Sequence, residues 1–343
     1  MNRAKNTLFS DTPVKLNDKS LIAAIETSCD ETACSVVQGG REMLSNVVAS
    51  QIKIHEKYGG VVPEVAAREH LVSINTVIEK ALDDANVQAK DIDAFACTVG
   101  PGLVGCLLVG MNAAKSLALI YDKPFIGVNH LYAHIGANFI DTDIEPPFVA
   151  LLVSGGHTQI IDVKSYKELT ILGETIDDAV GEAYDKVGRL LGLSYPGGAK
   201  LDKLAKLGDK TAFKLPEAKT SEFDFSFSGL KTAASRLIKS FEGKEIPVND
   251  ICASFQECVT ETLVKKVRNA LDSKGYKQVV IAGGVAANSE LRRKISELKN
   301  LGYRVNIPDI KYCTDNAAMA ASTAYFFENT FEDINTEVFS RVN

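Results

Sequence analysis

Two histidines four residues apart, His130 and His134, stand in the run N-H-L-Y-A-H-I-G-A-N-F of a chain that has five histidines in all. Because a helix turns about 100° per residue, this spacing places both imidazoles on one helical face, which is a typical arrangement of metal ligands. Zinc peptidases of the H-E-x-x-H type carry a glutamate base directly after the first histidine, whereas Leu131 stands there in this chain. The pair therefore predicts a metal site without that base. The alternative, in which two helix histidines only cover an edge of the core, stays open.

A third ligand is expected in the run T-D-N-A-A-M-A-A, residues 314 to 321. Thr314 or Asp315 can cap a helix that begins there. A carboxylate beside two imidazoles is a ligand set seen for iron and for zinc, so Asp315 is the candidate. A plain capping role for Asp315 fits the same residues.

Two glycine-rich turns follow apolar runs that are typical of strands. In the turn S-G-G-H-T, Gly155 and Gly156 lack a Cβ atom and let backbone N–H groups approach a phosphate, while Ser154 and Thr158 add hydroxyl donors. The second turn, G-G-V-A-A-N, ends at Asn288 before a helix, a position suited to close approach of a base or ribose. An ordinary hairpin and a packing turn are the alternatives.

Between these turns lies an acidic segment, residues 173 to 192, whose apolar residues recur with helical spacing. Within it, Asp185 can accept hydrogen bonds from ribose hydroxyls. The run Y-P-G-G, residues 195 to 198, predicts a rigid turn, and Asp202 follows one helical turn later. The run F-D-F-S-F-S-G-L-K, residues 223 to 231, alternates in the manner of a half-buried strand that belongs to the core.

The composition limits the class of protein. The chain has 343 residues, of which 45% are apolar and 24% charged, which predicts about two soluble domains and no bilayer-spanning run. Residues 1 to 20 are polar and are interpreted as a disordered extension rather than a secretory signal. Seven cysteines without C-x-x-C spacing predict free thiols in a reducing compartment, the cytoplasm. The net charge of -6 argues against a general nucleic-acid coat, so any RNA contact needs a local basic patch.

The order of elements indicates an internal duplication. A strand–turn–strand pattern occurs twice, and so does a strand–glycine turn–helix pattern, at residues 21 to 37, 148 to 163, 94 to 119 and 278 to 298. This predicts the duplicated α/β fold shared by actin, sugar kinases and Hsp70 ATPases (ribonuclease H-like), with two lobes around a central cleft. The predicted domains are a polar extension (1–20), an N-terminal actin-like lobe (21–128), a C-terminal actin-like lobe with the nucleotide pocket (129–313), and a C-terminal helix that returns to the N-terminal lobe, followed by a tail (314–343).

Motifs along nearly the whole chain carry a resemblance to one family. In order, they are I-E-T-S-C-D-E-T, G-G-V-V-P-E-V-A-A-R-E-H, G-P-G-L-V-G, N-H-L-Y-A-H, L-V-S-G-G-H-T, G-E-T-I-D-D-A-V-G-E-A-Y-D-K, Y-P-G-G, F-S-F-S-G-L-K-T-A, G-G-V-A-A-N and C-T-D-N-A-A-M. Together they resemble the TsaD (Gcp/YgjD) family, tRNA N6-adenosine threonylcarbamoyltransferase. The resemblance implies an actin-like acyltransferase that moves threonylcarbamoyl from threonylcarbamoyl-adenylate to the exocyclic amine of adenosine 37 in tRNAs that read ANN codons, with release of AMP.

The resemblance also implies a cofactor, a pocket and partners. One divalent metal ion, Fe²⁺ in the first place and Zn²⁺ as the alternative, is expected on His130, His134 and Asp315. An adenylate pocket is expected from nine residues, which are Leu152, Val153, Ser154, Gly155, Gly156, Asp185, Gly198, Asp202 and Asn288. The expected partners are tRNA, a paralogous actin-like subunit (TsaB) and a P-loop ATPase (TsaE), with no membrane. Leu152 replaces the tyrosine of the archaeal and eukaryotic branch, and His157 an asparagine; this bacterial pattern leaves the fourth metal position to water or substrate.

The expected mechanism is acyl transfer without a covalent enzyme intermediate, because these motifs pair no serine or cysteine with a free histidine. The metal would polarise the carbonyl of the mixed anhydride. Asp30 and Glu31, in the turn T-S-C-D-E-T, are the candidates that position the amine or take its proton, with a capped turn as the alternative. Cys29 is interpreted as a packing residue. The other functional hypotheses are an ATPase or sugar kinase of the same superfold, a metallopeptidase (the old glycoprotease label of the family) and a non-enzymatic scaffold.

Overall fold

Two five-stranded mixed sheets with the same topology organise the computed structural model, which describes residues 15–327 and 335–341. The first sheet has the order β3-β2-β1-β4-β5. Its strands are β1 (Leu21–Glu26), β2 (Glu31–Gln38), β3 (Glu42–Ser50), β4 (Ala94–Gly100) and β5 (Phe125–Asn129). The second sheet has the order β10-β9-β6-β7-β8. Its strands are β6 (Phe148–Val153), β7 (Thr158–Ser165), β8 (Glu168–Glu174), β9 (Gln278–Ala282) and β10 (Arg304–Asn306).

The pairing pattern of the two sheets is the same. In each, the first three strands in the sequence pair antiparallel, and the first then pairs parallel with the fourth, which pairs parallel with the fifth. The parallel pairs require crossover connections, and helices supply them. The predicted duplication of an α/β actin-like unit is therefore confirmed.

The helices flank these sheets. Those of the first unit are α1 (Ile52–His55), α2 (Pro63–Asp84), α3 (Val104–Tyr121), α4 (His130–Gly136) and α11 (Ala317–Phe326). Those of the second unit are α5 (Val180–Leu190), α6 (Gly197–Ala205), α7 (Ser228–Lys239), α8 (Val248–Lys274), α9 (Ser289–Glu297) and α10 (Ile310–Cys313). Short 3₁₀ helices occupy Glu56–Tyr58, Ala89–Asp91, Ala137–Phe139, Gly284–Ala287 and Leu298–Leu301.

The contacts within the chain separate two units, one of residues up to Ile144 together with those from Asp315 onward, the other Glu145–Thr314. The predicted lobe boundary, after residue 128, differs from this division. Helix α4 belongs to the first unit because it packs against α11, where the Thr323 hydroxyl donates to the Tyr132 carbonyl at 3.2 Å. Helix α11 packs against α4 and against strands of the first sheet. Residues 1–14 of the predicted extension, and 328–334 and 342–343 of the predicted tail, lie outside the described residues.

Each unit has its own apolar core. In the first, Phe95 and Phe125 of the sheet are buried with Ile74 of α2 and Met111 of α3. By length and composition alone α3 could cross a membrane, but its inner face packs against β4 and α2, as a core helix does. In the second, the strands are buried among α5, α8 and α9.

The predicted strand within residues 223 to 231 is absent from that described segment. Phe225 makes one isolated backbone bridge with Thr175, and α7 begins at Ser228. The core assignment is right for Phe225 and Phe227, whose buried rings stack with centroids 6.1 Å apart. The alternation reflects burial of two rings in an irregular segment, whose backbone bonds to Glu174 at the end of β8 and to Ile176 just beyond it.

Candidate functional site

The two histidines of the sequence motif lie on one face of α4. Asn129 begins this helix, and its side-chain oxygen accepts hydrogen bonds from the backbone N–H groups of Leu131 at 2.9 Å and Tyr132 at 3.4 Å. His130 and His134 lie in the first and second turns of this helix. The ring centroids of His130 and His134 are 4.7 Å apart and their planes are inclined by 70°.

Asp315 reaches the same place from the other end of the sequence. The predicted cap by Thr314 or Asp315 is wrong: Asn316 caps α11, and its side-chain oxygen accepts from Met319 N at 3.1 Å. Because the neighbouring asparagine satisfies the helix end, the carboxylate of Asp315 points elsewhere. Its Oδ1 lies 3.4 Å from His134 Nε2 and 3.7 Å from His130 Nε2.

The geometry of these three groups fits a divalent cation. One ligand atom from each side chain lies within 4.8 Å of the others. Donors about 2.1 Å from a tetrahedral ion are about 3.4 Å from one another, close to the 3.4 Å and 3.7 Å measured here. The side chains of Asp315 and His130 are 19% and 13% exposed, so this group is not fully sealed from solvent. A site with three protein ligands and one open position is the catalytic type rather than the structural type.

A buried carboxylate that the sequence analysis missed supports His130. Glu26 ends β1 with no exposed surface, and its Oε2 lies 3.3 Å from His130 Nδ1. Burial raises the pKa of Glu26. The positive charge of His130 and hydrogen bonds from His130, Ser28 and Thr98 outweigh this effect and bring the pKa down to about 2. Burial lowers the pKa of His130, while Asp315 and Glu26 outweigh this and raise it to about 9. A single carboxylate closing an otherwise apolar strand was the available signal.

The acidic turn between β1 and β2 is held by its backbone. The carbonyl of Ser28 accepts from Leu103 N at 2.8 Å, and that of Asp30 accepts from Gln51 N at 3.0 Å. The carbonyl of Cys29 lies 3.0 Å from Nε2 of the buried His70. The carbonyls of these three consecutive residues of the turn are therefore all engaged.

The side chains of this turn are electrostatically coupled to the histidine–aspartate group. Burial, followed by the charges of Asp315 and Asp30, raises the pKa of Glu31 to about 9. Burial also raises the pKa of Asp315, which the charge of His130 lowers in part, to about 6. Burial and nearby carboxylates raise the pKa of the Cys29 thiol, which argues against a thiolate nucleophile. A dense set of carboxylates that hold protons in this way is suited to a cation or to an amine.

The glycine-rich turn of the second unit connects β6 to β7. Ser154 N donates to the His157 carbonyl at 2.8 Å, and His157 N donates to Ser154 Oγ at 3.1 Å. No atom lies within 4 Å of a Cβ built on Gly155 or Gly156, so the backbone of the turn is open on that side. Thr158 does not fit its predicted role, because it is fully buried and its Oγ1 accepts from the backbone N–H that begins α5.

Two predicted pocket residues contribute no side chain to this surface. Leu152 and Val153 are fully buried in the core, so only their backbone is available to a ligand. Gly283, in the second glycine-rich turn, lies directly against this backbone. A Cβ at Gly283 would overlap the Val153 carbonyl and would lie 3.3 Å from Ser154 Cβ. The two glycine-rich turns of the second unit are thus in direct contact.

The remaining predicted residues surround these turns, each with a structural partner. Asp185 Oδ1 accepts from Gly198 N at 3.0 Å, and burial raises the pKa of Asp185. Asp202 Oδ1 accepts from the hydroxyl of Ser289 at 2.8 Å. Asn288 caps α9 through Leu291 N at 3.0 Å, and its amide donates to a buried glutamine. The structure therefore collects the predicted residues around the starts of α5, α6 and α9, where backbone N–H groups favour anions.

Solved structures with a related fold are distant in sequence. Full-length HypF in a phosphate- and nucleotide-bound form aligns with a TM-score of 0.60 at 15% identity, covering 92% of this chain and 47% of that one. HypF from T. kodakarensis aligns with a TM-score of 0.62 at 14% identity, covering 91% and 48%. At these identities the similarity concerns the fold alone.

Curated relatives are much closer. A tRNA N6-adenosine threonylcarbamoyltransferase of Clostridium perfringens is 54% identical over 315 residues, which are 90% of this chain and 93% of that protein. A protein of the same name from Clostridium botulinum is 54% identical over 311 residues, 89% and 92% of the two chains. The model of the family TsaD, tRNA N6-adenosine threonylcarbamoyltransferase, matches residues 42–322. This chain therefore belongs to the TsaD family.

Proposed function

We propose that the chain transfers a threonylcarbamoyl group from threonylcarbamoyl-adenylate to the exocyclic amine of adenosine 37 in tRNAs that read ANN codons. The observation that carries the proposal is the meeting of His130, His134 and Asp315 beside the acidic turn, in a chain of the TsaD family. In the reaction a C–N bond forms between the adenosine amine and the carbamoyl carbon. The C–O bond to the phosphate breaks, AMP leaves with the electron pair, and the amine loses one proton.

His130, His134 and Asp315 would hold one divalent ion, Fe²⁺ in the first place and Zn²⁺ as the alternative. When bound, such an ion supplies polarisation of the oxygens of the activated acyl donor. The two imidazoles are fixed by the short helix α4 and the carboxylate by the start of α11, so the ligands keep their spacing without substrate.

Asp30 and Glu31 would act on the amine. Their turn is anchored through three consecutive carbonyls, those of residues 28 to 30, and burial with neighbouring carboxylates raises the pKa of Glu31 to about 9. A carboxyl group with this pKa is protonated near neutral pH, so Glu31 would accept a proton from the amine only once the charge of a bound cation lowers its pKa.

The adenylate would bind in the second unit. Backbone N–H groups of Gly155 and Gly156 are open to a phosphate, and Ser154 adds a hydroxyl. Asp185 and Asn288 would approach the ribose and base from the adjacent helix starts. Leu152, Val153, Gly198 and Asp202 would shape this pocket through backbone position and packing rather than by side-chain contact.

The proposed partners are tRNA, the paralogous actin-like subunit TsaB and the P-loop ATPase TsaE, and the proposed location is the cytoplasm. The negative net charge, -6, means that tRNA phosphates would be met by a local basic surface or by a partner.

The experiment is reconstitution with purified partners, threonylcarbamoyl-adenylate and tRNA, followed by quantification of the modified nucleoside. His134→Ala should lower product formation by about 100-fold or more, since one of the three proposed metal ligands is lost. Asp185→Ala should also lower it and weaken adenylate binding, while Glu168→Ala, an exposed carboxylate in β8, should be neutral. Normal product formation by either site variant would remove that residue from the proposal.

The same assays separate the alternative activities. An ATPase or sugar kinase would release phosphate from ATP without tRNA. A metallopeptidase would cleave a glycoprotein in a metal-dependent manner, but the residue after His130 is Leu131, not glutamate. Turnover of the adenylate with tRNA would exclude a scaffold without catalysis.

A further inference from the structure

Glu26 makes an unusual set of contacts for a core residue of a strand. Its carboxylate has no exposed surface, and three donors surround it. The Ser28 backbone N–H donates to Oε1 at 2.6 Å, the Thr98 hydroxyl donates to Oε2 at 2.5 Å, and His130 Nδ1 lies 3.3 Å from the same Oε2. A fully buried carboxylate is costly unless such donors compensate it, so this arrangement is specific.

The contact with His130 determines how that ring is presented. Nδ1 faces Glu26, while Nε2 faces Asp315 and the proposed cation position, 3.7 Å from Asp315 Oδ1. Both partners are carboxylates, which accept hydrogen bonds and cannot donate them, but Glu26 is the nearer one at 3.3 Å, so the hydrogen of a neutral His130 ring is expected on Nδ1. The lone pair of Nε2 is then available to a metal ion.

We infer that Glu26 is the positioning residue of the metal centre: it sets the tautomer and orientation of His130 so that Nε2 can ligate the cation. The inference rests on the proposed metal site and assigns a residue outside the three ligands. It concerns the tautomer and orientation of His130 before any substrate binds. If Glu26 only accepted the hydrogen bonds of Ser28 and Thr98 in the core, its carboxylate would not need to be oriented toward Nδ1 of His130.

Glu26→Gln separates these two roles because some of the surrounding donors can become acceptors and others cannot. The Ser28 backbone N–H cannot reverse its direction, so the amide oxygen of glutamine must take the Oε1 position. The NH₂ group then faces His130 Nδ1 and the Thr98 hydroxyl. The hydroxyl can rotate to accept, but Nδ1 can accept only if the hydrogen of the ring moves to Nε2. That tautomer presents an N–H to the metal position.

Two readouts besides activity test this. Long-range ¹H–¹⁵N spectra of the histidine side chains, recorded on metal-free protein at alkaline pH, report which ring nitrogen of His130 carries the hydrogen. Titration with Co²⁺, followed by its visible absorption, reports affinity. We expect Nδ1–H in the unaltered chain and Nε2–H in Glu26→Gln, and an affinity for Co²⁺ that is lower by about 10- to 100-fold in the variant.

Matched variants distinguish positioning from general loss of structure. Thr98→Val removes another donor to the same carboxylate, and Ser28→Ala removes the hydroxyl that lies 3.2 Å from His130 Nδ1. Both retain Glu26, so both should keep the Nδ1–H tautomer and bind Co²⁺ within about 3-fold of the unaltered chain, a smaller change than loss of the carboxylate that orients a ligand would cause.

The outcomes are distinct. A Glu26→Gln variant that binds Co²⁺ as tightly as the unaltered chain overturns the inference and leaves the proposed function intact. A flip of the tautomer by Ser28→Ala also overturns it. If the unaltered chain binds no Co²⁺, the metal site fails, and this inference fails with it. Should Glu26→Gln not fold, the spectrum of the unaltered metal-free chain decides, because an Nε2–H tautomer there contradicts the proposed role.

Discussion

Gly181 offers a sharp test of the adenylate pocket. It lies in the first turn of α5, directly against the S-G-G turn, and its N–H donates to the Ser154 carbonyl at 3.2 Å. A Cβ at this position would lie 2.6 Å from that carbonyl oxygen and 2.8 Å from Gly155 Cα, whereas ordinary contacts begin near 3.4 Å. Gly181→Ala must therefore displace the turn by about 0.8 Å, the difference between these distances.

The expected effect is on binding rather than on folding. Alanine in place of glycine favours a helix by up to about 1 kcal/mol, which offsets part of the strain. A displacement approaching 1 Å of groups that orient a substrate can cost about 100-fold in rate. We expect the affinity for a hydrolysis-stable adenylate analogue, measured by calorimetry, to fall by about 10- to 100-fold, with a similar loss of modified nucleoside.

Gly229→Ala is the matched control for this prediction. Gly229 lies in the first turn of α7, and no atom lies within 4 Å of a Cβ there. This variant should bind the analogue normally and melt at the same or a higher temperature. If Gly181→Ala binds the analogue as tightly as Gly229→Ala does, the S-G-G turn is not the phosphate site and the reasoning is refuted.

Three further predictions concern the first unit. The pKa of Asp315 (about 6) and those of His130 and Glu31 (about 9) are raised above their ordinary values, so each group holds its proton longer when folded. The free energy of unfolding of metal-free protein should therefore fall as pH rises from about 5 to 9. The slope is up to about 1.4 kcal/mol per pH unit for each proton that the folded state binds in excess of the unfolded state. Urea denaturation that shows a rise in stability over this range would contradict the prediction. Saturating Zn²⁺ should reverse the trend. Cys29→Ala should retain product formation within about 3-fold, since its thiol is not activated, and a loss of 100-fold would make it a nucleophile. In Gly136→Ala the new methyl group would overlap a threonine hydroxyl of α11. The variant should lose about 1–3 kcal/mol of stability, seen as a lower melting temperature, and should bind Co²⁺ more weakly. An unchanged Co²⁺ affinity would show that the packing of α4 on α11 does not hold the site.

Part of the site could be predicted from local spacing. The face shared by His130 and His134 follows from helical geometry within four residues. Glu26 could not be found in this way, because its partners Thr98 and His130 lie 72 and 104 residues further along the chain. Its environment exists only once β1, β4 and α4 have come together.

The fold was predictable to a similar depth. Repetition of the hairpin and of the strand–glycine turn–helix unit was enough to indicate a duplication. The lobe boundary was not, because α4 is assigned to its unit by long-range packing on α11. The cap of α11 was misplaced by one or two positions for a related reason: threonine, aspartate and asparagine all cap helices, and only the three-dimensional structure shows that Asn316 does so.

The two copies of the hairpin turn have diverged in opposite ways. In the first unit the turn carries Asp30 and Glu31 and is anchored through its carbonyls. In the second it carries Gly155 and Gly156, with open backbone. One duplicated element thus presents carboxylates in its first copy and open backbone N–H groups in its second.

The central claim is that the cation held by His130, His134 and Asp315 is required for transfer of the threonylcarbamoyl group. The most direct measurement is the yield of modified tRNA nucleoside from chelator-treated protein, before and after one equivalent of Fe²⁺ or Zn²⁺ is restored, in the unaltered chain and in His134→Ala. We expect almost no product from metal-free protein, recovery in the unaltered chain, and no recovery in the variant. Full product formation by metal-free His134→Ala would contradict it.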